Sequence, residues 1–229
     1  MTAQTALYIS VWILPILLAI TLHEAAHGYA ALRLGDETAK RAGRISVNPL
    51  RHIDLFGTIL LPVLLLWVSR GTFAFGFAKP VPVNFARLRN PRRDMVWVAA
   101  AGPASNIVMA IIASALFAIT GPDGGFVMEW IRANLVVAMA INVLLAVFNM
   151  IPIPPLDGGR VAVGLLPDSL ALPLSRLERV GIFIVLGAIF LLPAVGIDLF
   201  GSVILPVTEV LLTLISAPSL AELPDLVRL

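Results

Sequence analysis

His23-Glu24-Ala25-Ala26-His27 places two imidazoles at positions i and i+4. On a helix those positions share one face, so both rings can bind a single Zn²⁺. Glu24 then stands beside the water that such a metal activates and can take its proton. The chain holds only 3 His. At the His and Glu frequencies of this sequence, about 225 windows would give roughly 0.001 chance occurrences of the pattern.

Catalytic zinc takes three protein ligands and leaves a further position for water. The chain has no Cys, which removes thiolate ligands, disulfides, iron–sulfur clusters and thiol catalysis together. A candidate third ligand is Asp157, within Asn149-Met-Ile-Pro-Ile-Pro-Pro-Leu-Asp-Gly-Gly159. There Pro152, Pro154 and Pro155 break an apolar helix and project a carboxylate from a turn. An Asp before Gly-Gly also reads as an Asx-turn residue, with no ligand role.

Membrane segments must position these groups. Of 229 residues, 59% are apolar and 13% charged, and the mean hydropathy is +0.96. Soluble domains carry about 45–50% apolar and about 25% charged residues, so too little polar surface remains to coat a water-soluble globule. The same figures exclude a disordered chain, and 17 Gly with 17 Pro exclude a coiled coil. The chain is expected to be a multi-pass integral protein of the cell membrane, with the bilayer as one partner. Basic residues are not interleaved with aromatics, so no nucleic-acid partner is expected. The first residues carry no basic stretch, so the apolar run after them is expected to be a retained helix and not a cleaved signal.

Spanning helices need about 20 mostly apolar residues. Five stretches qualify or nearly so: 6–31, 95–119, 134–151, 177–194 and 197–216; a sixth, 55–70, is shorter and holds Pro62. The expected fold is all-α and polytopic, one domain over 1–229 with a core at 6–160 and C-terminal helices at 177–216. If 55–70 is re-entrant, 15 of the 16 basic residues fall on one side, as the positive-inside rule prefers. Parity agrees, because His23 and His27 can reach Asp157 only if an even number of crossings separates them. The segments 43–49 and 71–85 read as short membrane-associated β-strands. Phe73, Phe75 and Phe77 share one face at period 2 and could hold an extended substrate by strand addition; the same aromatics also read as interfacial anchors. His52 reads as a solvated loop residue, and Asn106 as a packing or hydrogen-bonding residue at a helix start.

Together, His23-Glu-x-x-His27 in the first apolar helix, Ala101-Gly-Pro-Ala-Ser-Asn106, and Asn149-x-x-Pro152 leading to Leu156-Asp-Gly158 resemble the site-2 protease family. These are intramembrane zinc metalloproteases, and the intervening Gly43–Pro49 and Lys79–Asn84 stretches resemble its compact members lacking a PDZ domain. The resemblance covers roughly residues 12–160. It implies cleavage of membrane-spanning proteins within the bilayer, one Zn²⁺ per chain on His23, His27 and Asp157, and Glu24 as general base. It further implies that Asn149 holds the substrate or the oxyanion, and on the expected topology the site lies near the cytoplasmic face. The alternative reading is a transporter with an intramembrane His/Asp site. That would set polar groups through the whole thickness, whereas here they gather near one face.

Overall fold

The computed structural model describes residues 3–68, 70, 76, 78–121 and 124–227. Ten α-helices occur among them: α1 (Ala3–Arg33), α2 (Thr38–Arg41), α3 (Leu61–Val68), α4 (Pro91–Ile119), α5 (Gly125–Asn149), α6 (Asp157–Leu165), α7 (Asp168–Arg176), α8 (Gly181–Phe190), α9 (Leu205–Leu214) and α10 (Leu223–Leu226). Within α1, α4 and α5, the stretches Ile9–Arg33, Pro91–Ile119 and Gly125–Asn149 are long and apolar enough to cross a membrane, by length and composition.

Their packing follows from small residues. The buried positions of this bundle include Ala19, Ala99, Ala110, Ala113, Ala133, Ala140 and Ala146, which let backbones approach closely. Larger side chains such as Leu14, Leu18, Val108, Ile111 and Ile112 point outward. Apolar bulk outside and small residues inside is the arrangement for a lipid solvent, where packing rather than water exclusion joins helices. The same buried cluster takes in Val11, Met139, Val143 and Leu212, tying α9 to the α1–α5 contact.

The chain leaves and re-enters the bundle at one end. The Arg89 N–H, just before α4, donates to the Leu34 carbonyl just after α1 at 3.0 Å. Buried Asp36 reinforces this end, accepting from the Thr38 N–H at 3.0 Å, the Thr38 hydroxyl at 2.5 Å and the Asn84 N–H at 2.7 Å. Burial alone would raise its carboxyl pKa; those three donors outweigh it and hold the value below the ordinary carboxylate range. A carboxyl that is a stronger acid folded than unfolded contributes stability above its unfolded pKa and loses it as pH falls through the folded one. Asp36→Asn should therefore destabilise by about 1–3 kcal/mol at neutral pH. Thermal unfolding in detergent across an acid series should show the gap between wild type and variant closing as pH falls below about 4.

Two expectations need correction. The first is the number of spans. Among the described residues three helices reach membrane length, whereas Leu55–Val68, Gly181–Phe190 and Phe200–Leu214 are shorter apolar helices of at most 15 residues. At 1.5 Å per residue the longest of these, Phe200–Leu214, covers about 22 Å, less than the roughly 30 Å hydrocarbon core. The break between 177–194 and 197–216 is local: Pro193 opens a 3₁₀ turn, and Gly196, at φ 84°, closes it in the left-handed region.

The second correction concerns the strands, because none occurs among the described residues. Residues 43–48 and 78–84 lie outside helices, Pro49 opens a 3₁₀ turn, and neither stretch forms a strand ladder. Several of their donors are engaged elsewhere, with the Asn48 N–H on Ser46 Oγ, the Val81 N–H on Glu24 and the Asn84 N–H on Asp36. Pro80 and Pro82 have no N–H to give. Phe73, Phe75 and Phe77 lie outside the described residues.

Candidate metal centre

Antiparallel contact between α1 and α4 builds most of the site. On α4, Val98, Gly102 and Asn106 recur every fourth residue and so line one face; opposite them on α1 stand His27 and His23. The His27 Nδ1–H donates to the Val98 carbonyl at 2.7 Å, and the His23 Nδ1–H to Asn106 Oδ1 at 2.5 Å. Gly102 sits between these two anchors. A Cβ there would lie 2.6 Å from His23 Nε2 and closer still to His27 Nε2, so only glycine leaves room for both rings.

The third group arrives from the far side of the proline loop. Asp157 is the first residue of α6, and it is held there by two glycines. A Cβ on Gly158 would strike the Met150 and Ile151 carbonyls, and one on Gly159 would strike Ile153 and Pro154. The loop 150–156 thus folds back directly onto the start of α6. Arg92, at the start of α4, secures the other end of α6 through Nε to the Gly164 carbonyl at 3.2 Å, a bond to the Leu166 carbonyl, and Asp168 at 2.5 Å.

The result is a compact triangle. His23 Nε2 and His27 Nε2 are 3.1 Å apart, and Asp157 Oδ2 lies 3.1 and 3.3 Å from them. All three residues are buried. Each imidazole gives its Nδ1–H to an oxygen, so in a neutral ring Nε2 is a bare lone pair. Asp157 Oδ2 is buried and accepts no hydrogen bond. Three lone pairs facing one point in a buried site are an arrangement that a bound cation would satisfy. Tetrahedral ligands about 2.0–2.1 Å from zinc stand about 3.3–3.4 Å apart, close to the observed edges. The donor set and its spacing therefore fit a zinc ion.

Glu24 is one residue beyond His23 and half-buried. Its Oε2 accepts the Val81 N–H at 2.7 Å, which fixes the carboxylate between α1 and the 78–84 segment. That segment is itself tied down, because the Lys79 N–H donates to the His52 carbonyl at 2.9 Å. His52 is not the solvated residue expected from the sequence; it is 2% exposed, with Nε2 2.8 Å from the Ser46 carbonyl. Asn149 ends α5, and its amide donates to the Leu145 carbonyl of its own helix at 3.0 Å. No hydrogen bond joins Asn149 to the triangle.

Sequence reasoning passed over Gly102 as a steric gap, Val98 as an anchor through its backbone, and Asn142. Asn142 is buried on α5 and accepts from Asn106 Nδ2 at 2.8 Å. The signal available for it was an amide in the middle of an apolar span, where polar groups are costly.

Membrane-length helices around a buried group of two histidines and one aspartate that could hold a metal ion, with a glutamate beside it, fit a zinc metalloprotease of the membrane. The chain belongs to peptidase family M50, the site-2 protease family. The family model described as "Peptidase family M50" matches residues 125–193. A Bacillus subtilis (strain 168) protein, named "Putative zinc metalloprotease YwhC", is 37% identical over 194 residues, covering 79% of this chain and 80% of the relative. Rip2 of Mycolicibacterium smegmatis (strain ATCC 700084 / mc(2)155) carries the same description and is 29% identical over 162 residues, 69% of this chain and 59% of its own length. MJ0611 of Methanocaldococcus jannaschii, also so described, is 41% identical over 64 residues, 28% of this chain and 31% of the relative. No solved structure matches the chain significantly.

Proposed function

We propose that this chain is an intramembrane protease that hydrolyses peptide bonds of membrane-spanning protein substrates, with one Zn²⁺ held by His23, His27 and Asp157. The observation that carries this reading is the convergence of those three lone pairs, with Glu24 adjoining, inside a bundle of membrane-length helices. At 1.5 Å per residue the two histidines lie about 9–15 Å in from the Arg33 end of α1, within the depth of a bilayer. Arg33, Arg41, Arg44, Arg89 and Arg92 belong to the same end of the bundle, which makes it the cytoplasmic one under the positive-inside rule. Water and the unwound substrate meet at that end.

When bound, zinc supplies a Lewis acid that polarises the scissile carbonyl and acidifies a water. His23, His27 and Asp157 would hold the ion through two neutral imidazoles and one carboxylate, contributing a single negative charge. Glu24, held by the Val81 N–H, takes the proton of the attacking water and passes it to the leaving amine. Asn149 is the proposed oxyanion donor; one Nδ2–H is spent on the Leu145 carbonyl and the amide has a second to give.

Metal analysis and cleavage of a panel of single-span proteins test the proposal together. Wild type should carry near-stoichiometric zinc and cleave members of the panel. His23→Ala, His27→Ala and Asp157→Ala should lose both zinc and cleavage. Unchanged zinc in the two histidine variants would remove the site, while zinc without cleavage of any spanning protein would remove the intramembrane substrate class.

A further inference from the structure

We propose that Asn142, acting through Asn106, sets the tautomer of His23 and so its capacity to ligate zinc. The inference rests on His23 being a zinc ligand, as proposed above, and adds a positioning residue that does not itself touch the metal.

The two histidines are oriented by different means. His27 gives its Nδ1–H to the Val98 carbonyl. A backbone carbonyl can only accept, so that bond admits one tautomer. His23 faces the side chain of Asn106, and an amide can present either its oxygen or its NH₂. Were the NH₂ turned toward His23, Nδ1 would become the acceptor and Nε2 would carry the proton. A protonated Nε2 cannot ligate a metal.

What prevents the turn is a chain of donors that ends on backbone. Asn106 Nδ2 donates to Asn142 Oδ1 at 2.8 Å, and Asn142 Nδ2 donates to the Ala138 carbonyl at 2.8 Å. The Ala138 oxygen can only accept, so Asn142 must direct its NH₂ there and its oxygen toward Asn106. Asn106 must in turn direct its NH₂ toward Asn142 and its oxygen toward His23. Reversing Asn106 alone would set two amide oxygens against each other, and reversing both would set Asn142 Oδ1 against the Ala138 carbonyl. The Ala19 carbonyl, 3.4 Å from Asn106 Nδ2, supports the same sense more weakly. Asn106 is 0% and Asn142 3% exposed, so no bulk water substitutes for a missing partner. The relay runs from α5 through α4 to α1.

The test compares Asn142→Leu with Asn142→Asp in detergent-purified full-length protein. Leucine keeps the apolar volume and abolishes the acceptor, whereas aspartate, a neutral acid at so buried a position, keeps an oxygen for Asn106 and an O–H for the Ala138 carbonyl. Zinc affinity, measured by competition with a chromogenic chelator, should fall about 10–100-fold in Asn142→Leu and stay near wild type in Asn142→Asp. In metal-free protein labelled with ¹⁵N-histidine, where only three histidines contribute, His23 Nδ1 should carry its proton in wild type and lose it in Asn142→Leu. Mere packing at position 142 would leave that signal unmoved. If Asn142→Leu does not fold, Asn142→Ala carries the same expectation.

Wild-type zinc affinity and an unchanged His23 signal in a folded Leu or Ala variant would overturn the relay. So would equal losses in the Asp and Leu variants. Failure of the zinc reading is separate, because it would appear as absent zinc in wild type or undiminished zinc in His23→Ala.

Discussion

Glu24→Gln is expected to keep its zinc and its fold while losing proteolysis by about 10²–10⁴-fold, the usual contribution of a positioned proton acceptor. The structure explains why the two properties separate. Glu24 belongs to neither the Val98–His27 nor the Asn106–His23 anchor, and its carboxylate lies outside the His23–His27–Asp157 triangle. Among the described residues the hydrogen bond that fixes it comes from the Val81 N–H, and a glutamine oxygen accepts that bond equally well. The variant thus keeps its shape and its tether and loses only the ability to take a proton. Single-turnover cleavage of a spanning substrate by wild type and variant, with zinc measured on the same preparations, checks the result. Activity within tenfold of wild type at equal zinc would remove Glu24 from the base role.

Gly102→Ala is expected to empty the centre without weakening the helix that carries it. Alanine is the better helix former by about 1 kcal/mol, so on propensity alone α4 should gain. The added Cβ, however, would stand 2.6 Å from His23 Nε2 and closer to His27 Nε2, distances that real carbon atoms do not adopt. Neither ring can step aside cheaply, because each is pinned at Nδ1, one on Val98 and the other on Asn106. Zinc affinity should drop by about 100-fold, at the upper end of what displaced metal-supporting groups cost. Chelator competition reads the affinity, and circular dichroism of the metal-free protein should show undiminished helix. Full zinc loading of a folded Gly102→Ala protein would show that the gap beside the imidazoles has no role.

Much of the centre was legible in the chain because its geometry is local. The i, i+4 spacing of His23 and His27 fixes their common face on any helix, and the adjacent glutamate follows the same turn. Asp157 was legible because prolines and glycines act on the backbone within a few residues. That Pro152–Pro155 would break a helix and expose a carboxylate needed no knowledge of distant contacts. The membrane class followed from composition, which holds whatever the topology.

Other features depended on partners far away in sequence. The 43–49 and 78–84 stretches have the residue types of strands, yet their N–H groups went to Ser46, Glu24 and Asp36. Ser46 lies within its own stretch, but nothing in 78–84 discloses that Glu24 and Asp36, 57 and 48 positions away, take its N–H groups. The C-terminal apolar runs looked long enough to span until the turn at Pro193–Gly196 and the helix ends beside it cut them short.

By itself, then, the sequence determined the ligand types, the register of the two histidines, the break that delivers Asp157 and the apolar exterior, because each arises within one turn or from bulk composition. Only the tertiary structure decided which ring nitrogen is left bare, that Gly102 leaves room for both imidazoles, and that Asn106 and Asn142 orient His23. Each of these is a relation across helix interfaces between residues 36–83 positions apart. There the direction of a hydrogen bond or the absence of one methyl group acquires meaning only after the helices have packed.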